Sequence, residues 1–326
     1  MNALVIIACH RIPGKPRFAR CCSRMAGFTL VEVLISTVVL AMVVVLLSHV
    51  LTNVSGIWQR GQAQVERCEG GRAILDYMAK ELQAAQVPVD RSGNAYLQFV
   101  VNPSGLSSGD KPCDQIFWQA PLATDQTLGD LAEIGYFVKW TADRQNPRAQ
   151  LCRFFVNPTT ADGNANPNFK IYQSPAAWLS KSILDAVCPA DSQDKDNPYE
   201  GLFVENVVAL WISCIDPIGN VITTSSNGES FSGHSFDSRR GYKYKDAKGK
   251  WQSSVLPAAI DVSFVLVDNV SANRITGGLR DAIVGLAAET QSASEFVATS
   301  SKDSRFASIR PGLRSCMTRV YLHNSK

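Results

Sequence analysis

The chain has 326 residues, of which 45% are hydrophobic and 19% are charged, with a formal net charge of +3 at pH 7. These values are typical of a globular protein, and they exclude a wholly disordered chain. Residues 1–27 contain five Lys or Arg residues and no acid, so the rest of the chain is close to neutral. A nucleic-acid-binding body usually carries a strong positive charge, and the overall charge of residues 28–326 does not indicate one.

Residues 28–51, FTLVEVLISTVVLAMVVVLLSHVL, form a predominantly apolar segment. The segment has 24 residues, and about 20 apolar residues in a helix cross the hydrocarbon core of a bilayer. The basic residues before it predict that its N-terminal end stays in the cytoplasm and that the following chain is translocated. No A-x-A-like cleavage site follows the segment, which disfavours a secretory signal peptide. We therefore expect a membrane-spanning helix.

One acid, Glu32, lies near the start of this segment. An ionised carboxylate inside a bilayer costs a few kcal/mol, so it needs either hydration or a cationic partner. In the simpler interpretation, Glu32 lies at the headgroup boundary and is hydrated there. In the functional interpretation, the chain is cut after Gly27, and the new amine of Phe28 on one subunit pairs with Glu32 on the next subunit of a packed array.

The sequence GFTLVEVLIS, residues 27–36, closely resembles the cleavage and methylation motif of type IV prepilins and type II secretion pseudopilins. In that family, a membrane-embedded prepilin peptidase cuts after the glycine and methylates the new N-terminal phenylalanine. The acid at the fifth mature position pairs with the amine of a neighbouring subunit. The resemblance implies that residues 1–27 are a cleaved leader, that Gly27 and Phe28 form the processing site, and that Phe28 and Glu32 direct filament assembly.

The partners implied by this resemblance are the prepilin peptidase, other pilin or pseudopilin subunits and the inner membrane, and no cofactor is implied. The implied location is the bacterial inner membrane, with a cytoplasmic N-terminus and a periplasmic body, followed by a periplasmic or surface filament. DNA or an exported substrate is a further partner for which the resemblance gives no proof.

After the apolar segment, hydrophobic residues recur at three- and four-residue steps, and this spacing predicts that the helix continues through residues 52–87. No proline interrupts residues 28–86, and Pro88 ends the predicted helix. The pair Gly70-Gly71 weakens the helix and could bend or break it. We expect the second half of this helix to pack on a soluble domain.

Residues 88–326 are predicted to form that domain, an α+β pilin body. Period-two alternation predicts strands in AEIGYFVKW, NVVALWISCID and AAIDVSFVLVD, and LCRFFVN follows the first of these as a hairpin partner. Long polar stretches near 157–200 and 217–250 are predicted loops. A long N-terminal helix followed by strands predicts a pilin-like fold, in which the helix packs on an antiparallel sheet.

Two parts of this body resemble the J-type minor pseudopilins, namely Leu202 to Asp268 and Gly135 to Asn157. The second part is also similar to the verrucomicrobial prepilin-type proteins called Verru_Chthon cassette protein C. The Ser- and Ala-rich segment from Val270 onward has no clear counterpart in the compact J-type body.

Six cysteines follow the apolar segment. An even number in a non-cytosolic body is compatible with up to about three disulfides, whose pairing the sequence leaves open. Cys68 falls on the predicted helix and is equally compatible with a small buried hydrophobic residue. The remaining candidates for disulfides are Cys113, Cys152, Cys188, Cys214 and Cys316.

No metalloprotease, redox, nucleophile-elbow or Walker motif is present in the sequence. Residues 228–237 place Ser230, His234 and Asp237 in one predicted loop, and these are the residue types of a catalytic triad. A triad also needs a rigid scaffold and an oxyanion site, and the sequence indicates neither. We therefore predict that the protein is not an enzyme.

The acidic stretch 191–200 offers carboxylates at Asp191, Asp194 and Asp196, which are weak candidates for a calcium site. The glycine that an EF-hand loop needs at its sixth position is absent, so a solvated loop without metal is favoured.

The stretch 239–250 is the one basic and aromatic part of the body, and Arg239, Arg240, Lys243 and Lys245 could contact phosphates. A soluble loop is the simpler interpretation. Two functions therefore remain open. The first is a structural minor pseudopilin of a type II secretion-like or type IV pilus-like machine. The alternative is a minor type IV pilin that binds DNA or a surface ligand through residues 239–250.

Overall fold

The computed structural model describes residues 29–88, 97–104, 106, 113–141, 143–171, 177–188, 201–231 and 234–323, without the side chains of 56, 57 and 59–68. The predicted leader, with Gly27, and the neighbouring Phe28 lie outside the described residues. The chain divides into two compact units, Met1–Gln62 and Ala63–Lys326.

The helices and strands are numbered in chain order. The helices are α1 (Leu30–Gln83), α2 (Lys181–Val187), α3 (Asn269–Ala272), α4 (Gly277–Glu289) and α5 (Ala293–Ser300), and two 3-10 turns cover Ser304–Phe306 and Arg310–Gly312. The strands are β1 (Val100–Val101), β2 (Ile116–Ala120), β3 (Ala132–Trp140), β4 (Ala149–Val156), β5 (Leu202–Glu205), β6 (Val207–Ile215), β7 (Phe236–Asp237), β8 (Tyr242–Lys245), β9 (Trp251–Ser254), β10 (Ala259–Val267) and β11 (Leu313–Tyr321).

Helix α1 is 54 residues long and continues through Gly70-Gly71 without a break. Its first part, Leu30–Ser55, is long and apolar enough to cross a membrane, and none of it is buried. Its last part belongs to the second unit and buries one face of the helix. The buried side chains of that face are Ile74, Leu75, Met78 and Leu82, and their spacing is that of an amphipathic helix.

The larger sheet of the second unit has six strands in the order β5-β4-β3-β2-β1-β7, and every neighbouring pair is antiparallel. The predicted hairpin of AEIGYFVKW and LCRFFVN is confirmed as β3 and β4, with Tyr136 opposite Arg153. Alternation along these strands places Trp118 and Tyr136 in the core that contains the buried face of α1. Phe117 and Phe154 belong to a separate core cluster.

The smaller sheet has the order β11-β10-β6 and is also antiparallel. The predicted strands NVVALWISCID and AAIDVSFVLVD are confirmed as its β6 and β10, with Ile212 opposite Val262. Side chains from one face of this sheet, such as Phe264, join the core that contains the buried face of α1. Side chains from the other face, such as Val265, share a second core with α4 and α5. The antiparallel sheets and the long helix confirm an α+β pilin-like fold.

Gly71 allows α1 to approach the smaller sheet closely. A Cβ atom at this position would lie 2.5 Å from Cys316 Sγ and 3.1 Å from Leu266 Cδ1. The first distance leaves no room for a side chain larger than hydrogen. Gly71 would weaken an isolated helix, but here it allows α1 to pack closely against the smaller sheet. The same modification at Gly70 would meet no atom within 4 Å.

Two predicted loops of the body need correction. The stretch near 157–200 contains α2, and the stretch 217–250 contains β7 and β8, of which β8 pairs with β9 as a two-stranded antiparallel sheet. The segment from Val270 onward, which has no clear counterpart in the compact J-type body, folds into helices and then β11. These helices form an insertion between the adjacent strands β10 and β11, and apolar side chains such as Ile283 and Phe296 pack them on the sheet.

Candidate functional site

The first turn of α1 is closed by a reciprocal capping arrangement between Thr29 and Glu32. The Thr29 N–H and the Thr29 hydroxyl both donate to Glu32 Oε2, each at 3.1 Å. The Glu32 N–H donates to Thr29 Oγ1 at 3.3 Å. A Thr at the cap and a Glu three residues later satisfy two backbone N–H groups that a helix start leaves without partners. The motif residues therefore also explain why the helix begins at Leu30.

This capping leaves the charge of Glu32 without a cation. Within the part of the chain that the structure describes, no basic side chain forms an ion pair with Glu32. The position in the first turn favours a negative charge because the helix dipole is positive there. The predicted amine partner, Phe28, and the predicted cut site, Gly27, lie outside the described residues. The geometry is thus that of an exposed carboxylate at the start of an apolar helix.

The rest of Leu30–Ser55 presents a largely apolar surface because four of its hydroxyl groups bond within the helix. Ser36 donates to the Glu32 carbonyl at 2.7 Å and Thr37 to the Leu34 carbonyl at 2.8 Å. Ser48 and Thr52 donate in the same way, to the carbonyls of Val44 and Ser48. Hydroxyls satisfied by their own helix do not require water, so they fit a lipid environment or a helix bundle.

A second acid of α1, Glu81, is buried against the larger sheet. Arg153 donates to both of its oxygens, from Nη2 to Oε1 at 2.5 Å and from Nε to Oε2 at 3.2 Å. The Tyr136 hydroxyl donates to Oε2 at 2.5 Å. Burial, and then the charge of Glu81, raise the pKa of Tyr136. Burial acts to lower the pKa of the Arg153 guanidinium, but its hydrogen bond to Glu81 and the charge of Glu81 together raise that pKa. This cluster fixes the last turns of α1 to β3 and β4.

The structure does not assemble the triad suggested by residues 228–237. His234 Nδ1 contacts Asp114 Oδ2 at 2.6 Å rather than Asp237. Asp237 Oδ1 instead accepts from the Gln98 side chain and from the Arg239 N–H, each at 3.0 Å. The second ring nitrogen of His234 contacts Gln291 Oε1 at 2.7 Å, so it faces no hydroxyl nucleophile.

No disulfide joins any two of the five cysteines that the structure describes, Cys113, Cys152, Cys188, Cys214 and Cys316. The bridges that the sequence allowed among them are therefore not formed in this structure. Burial raises the pKa of the Cys113 thiol to about 12 and that of Cys152 to about 11. These thiols are neutral at physiological pH and behave as small core residues.

The acidic candidates for calcium, Asp191, Asp194 and Asp196, lie outside the described residues. Among the residues that are described, no group of three or more His, Cys, Asp or Glu side chains is arranged to hold a metal ion.

The basic stretch 239–250 is partly engaged within the body. Arg240 forms an ion pair with Glu229 and lies over the ring of Phe231. Lys243 and Lys245 are exposed on β8, and Lys245 lies 5.1 Å from the centroid of the Trp251 ring. Arg239 is exposed, although desolvation lowers its pKa. The four candidates for phosphate binding are thus all exposed, and one of them, Arg240, is already paired with an acid.

Glu81, Tyr136, Arg153, Asp114 and Gln291 were not predicted as interacting residues. Their partners are far apart in sequence, for example 72 residues between Arg153 and Glu81 and 120 between His234 and Asp114. The sequence signal that could have identified such residues was a polar residue within an apolar pattern. An example is Glu81, which lies beside Leu82 on the buried face of α1.

Comparison with known proteins places two matches on this chain. The family model described as the prokaryotic N-terminal methylation motif matches residues 22–48. Type II secretion system protein J of Xanthomonas campestris pv. campestris is 36% identical over 86 residues, which cover 26% of this chain and 41% of that protein. The chain therefore spans less than half the length of this curated relative. No solved structure matches the chain.

Proposed function

We propose that this chain, which is prepilin-like and similar to the J-type of the type II pseudopilin family, is a minor pseudopilin. It would be a structural subunit of a filament in a type II secretion-like or type IV pilus-like machine. Cleavage after Gly27 and methylation of Phe28 would mature it. The observation that carries the proposal is the exposed apolar segment Leu30–Ser55 of α1, which begins within the motif and contains one acid, Glu32, that has no ion pair among the described residues.

The exposed apolar surface of α1 is compatible with two environments, the lipid bilayer and a bundle of other apolar helices. Lipid tails satisfy an apolar helix as well as other apolar helices do, so association depends on packing and on polar pairs rather than on the hydrophobic effect. Glu32 supplies such a polar pair if a neighbouring subunit presents the amine of Phe28. The pair would offset the few kcal/mol that a carboxylate costs in a bilayer and would fix the register between subunits.

The proposed location follows from the flanking charge. The five basic residues of 1–27 favour a cytoplasmic N-terminal end, which leaves the body on the periplasmic side. The proposed partners are the prepilin peptidase, the inner membrane and other pseudopilin subunits. The alternative of a DNA- or ligand-binding pilin has no support from either match and is not carried further.

The proposed cleavage and methylation are tested by measuring the mass of the protein and of its N-terminal peptide. Protein recovered from membranes of cells with and without the prepilin peptidase is measured intact and as its N-terminal peptide. We expect an N-methylated Phe28 terminus only when the peptidase is present, and an uncut chain from the variant Gly27→Val. A terminus at another residue, or the same terminus without the peptidase, would contradict the proposal.

Assembly is tested with a matched pair of variants on α1. Glu32→Gln removes the charge and keeps the shape, and Glu69→Gln makes the same change at another exposed position of the helix. We expect Glu32→Gln to be inserted and cleaved as usual but recovered in cross-linked filament at least about tenfold less than wild type, since an interaction of about 1.4 kcal/mol is a factor of ten. Glu69→Gln should equal wild type. Equal recovery of both variants would show that Glu32 has no role in assembly.

A further inference from the structure

His234 is nearly buried between two parts of the body that are distant in sequence. Its side chain is 12% exposed. Nδ1 lies 2.6 Å from Asp114 Oδ2, just before β2, and Nε2 lies 2.7 Å from Gln291 Oε1, between α4 and α5. The ring is therefore a direct polar link between the larger sheet and the helical insertion that separates β10 from β11.

On one side of the ring, Asp114 is held in place by both sheets. Its Oδ2 also accepts the Ile212 N–H of β6 at 2.7 Å, and its Oδ1 accepts the Asn102 side chain at 2.7 Å. The Asp114 N–H donates to the Leu210 carbonyl at 2.9 Å. Asp114 cannot follow the ring without breaking these bonds, so it is the fixed end of the link.

On the other side, Gln291 belongs to a sharp corner, residues 290–292, that joins α4 to α5. The Gln291 N–H donates to Glu295 Oε2 at 2.8 Å, and the neighbouring Thr290 carbonyl accepts the indole N–H of Trp211 at 2.8 Å. The insertion has further polar links to the body, since the Ala293 N–H donates to Ser263 Oγ at 3.3 Å and the Asn206 side chain donates to Asn269 Oδ1 at 2.6 Å. The corner is therefore one of several polar anchors of an interface that is otherwise packed by apolar side chains.

The number of protons on the His234 ring decides whether its contacts with Asp114 and Gln291 are both favourable. An imidazolium donates from both nitrogens and satisfies the two oxygens that face it, whereas a neutral imidazole carries one proton only. A neutral ring that keeps its bond to Asp114 presents a lone pair to the oxygen of Gln291. We propose that the protonation state of His234 controls its contact with Gln291. The charged ring holds the corner 290–292 on the body, and the neutral ring releases Gln291. We call this pH-dependent contact the clasp.

The surrounding groups favour the charged state of the ring. The hydrogen bond with Asp114 raises the pKa of His234, burial opposes this, and the charge of Asp114 and the Gln291 contact add to the increase. The thiols of Cys113 and Cys214, which interact with Asp114, have pKa values raised by burial, so both are neutral where histidine titrates. The Glu295 carboxylate accepts from the backbone of Gln291 rather than from the ring.

The sign of the pH dependence of stability follows from the raised pKa of His234. A histidine whose pKa is raised by folding contributes stability that is fully present below its unfolded pKa and is lost as the pH rises through its folded pKa. The clasp is closed in mild acid and opens toward neutral and alkaline pH. This inference does not depend on the proposed function, because it concerns contacts within the body alone.

The experiment uses the full-length protein in detergent micelles with isotopically labelled histidine. The resonance of His234 is identified by its absence in His234→Gln and is titrated by NMR. Amide hydrogen exchange of residues 290–292 is measured over the same pH range. We expect a midpoint above about 6.5, the ordinary value for histidine. Exchange protection at the corner should fall about tenfold or more with the same midpoint, as for the loss of one hydrogen bond to a charged group.

Two further variants separate protonation from packing. Gln291→Glu keeps an acceptor and adds a negative charge, so the His234 midpoint should rise further, whereas Gln291→Leu should lower it. A midpoint at or below the ordinary value overturns the clasp. So does corner protection that is independent of pH, because the amide group of Gln291 would then simply rotate and donate to the neutral ring.

Discussion

Glu32 and Glu81 lie on the same helix, and the two acids are satisfied in opposite ways. Glu81 has a guanidinium and a phenol within the fold, with both of its oxygens bonded. The Glu32 carboxylate is exposed, and among the described residues it is bonded to Thr29 of its own first turn. A carboxylate paired within the fold is a structural residue, whereas one without a cation in an apolar segment needs either hydration at the headgroup boundary or a partner from another chain.

The largest effect should come from removing Glu81. Glu81→Ala leaves Arg153, whose side chain is only 22% exposed, without its counter-charge, and breaking such a largely buried pair costs up to about 3 kcal/mol. Denaturant unfolding of the full-length protein in micelles, followed by tryptophan fluorescence, measures the loss. The matched variant Glu32→Ala should change the free energy of unfolding of the body by less than about 0.5 kcal/mol. Equal losses from both variants would remove the distinction between the two acids.

Glu133 is a third acid to compare with Glu32 and Glu81. It is buried but has no guanidinium partner among the described residues. Its Oε1 accepts the N–H groups of Lys170 and Ile171, each at 3.2 Å, and its Oε2 has no hydrogen-bond partner among the described residues. Burial raises its pKa to about 8, although the two backbone bonds lower it. The folded state therefore keeps a proton that the unfolded state releases above about pH 4.5.

The stability of the wild type should consequently fall as the pH rises from about 4.5 to about 8, by up to about 1.4 kcal/mol per pH unit from this group. Glu133→Gln removes the titration, so the variant should lack this part of the slope whatever its absolute stability. Unfolding curves at pH 5, 6 and 7 for both proteins measure the difference. Parallel pH profiles would mean that Glu133 is ionised in the folded protein.

A smaller loss is expected from Tyr136→Phe. The change removes the hydroxyl that donates to Glu81 Oε2 but keeps the ion pair with Arg153 and the packing of the ring. A hydrogen bond to a charged group contributes about 1.5 kcal/mol or more. The double variant with Glu81→Ala should cost less than the sum of the two single variants, since the phenol has lost its partner. Additive losses would show that the hydroxyl and the carboxylate act independently.

The smallest effects should come from the two adjacent glycines of α1, which have opposite surroundings. Gly71→Ala forces a methyl group against Cys316 Sγ and Leu266, and overpacking of this kind costs about 1 kcal/mol or more. Gly70→Ala meets no atom and should stabilise the helix by about 0.5–1 kcal/mol. Thermal unfolding of the two single variants measures both signs, and a stabilising Gly71→Ala would refute the close contact.

The sequence predicted those features that depend on local pattern. The strands β6 and β10 follow from period-two alternation, and a short motif singled out Glu32, whose role stays a prediction. His234 was noted only as one of three triad-type residues in a loop, and its partner Asp114 was not found because it comes from a loop 120 residues earlier. Contacts at that separation depend on the order of strands in the sheets, which no local pattern specifies.

The signals for the helical insertion were local, but no secondary structure was predicted there. Leu279, Ile283 and Leu286 have helical spacing and are buried. Ser292 caps α5 by accepting the N–H of Glu295. The segment was described only by its composition, rich in Ser and Ala, and by its lack of a counterpart in compact relatives. Composition is a poorer guide here than periodicity.

The contact between Gly71 and Cys316 joins the first helix of the body to its last strand. If the body is exported from its N-terminal end, as proposed, the buried face of α1 is delivered early, whereas β11 is delivered last. Until residue 316 emerges, β10 would have an unpaired edge and α1 would lack part of its packing surface, and such exposed surfaces favour aggregation or chaperone binding. The body would then reach its final packing only near the end of translocation, and a chain truncated before β11 should accumulate as an incompletely folded intermediate.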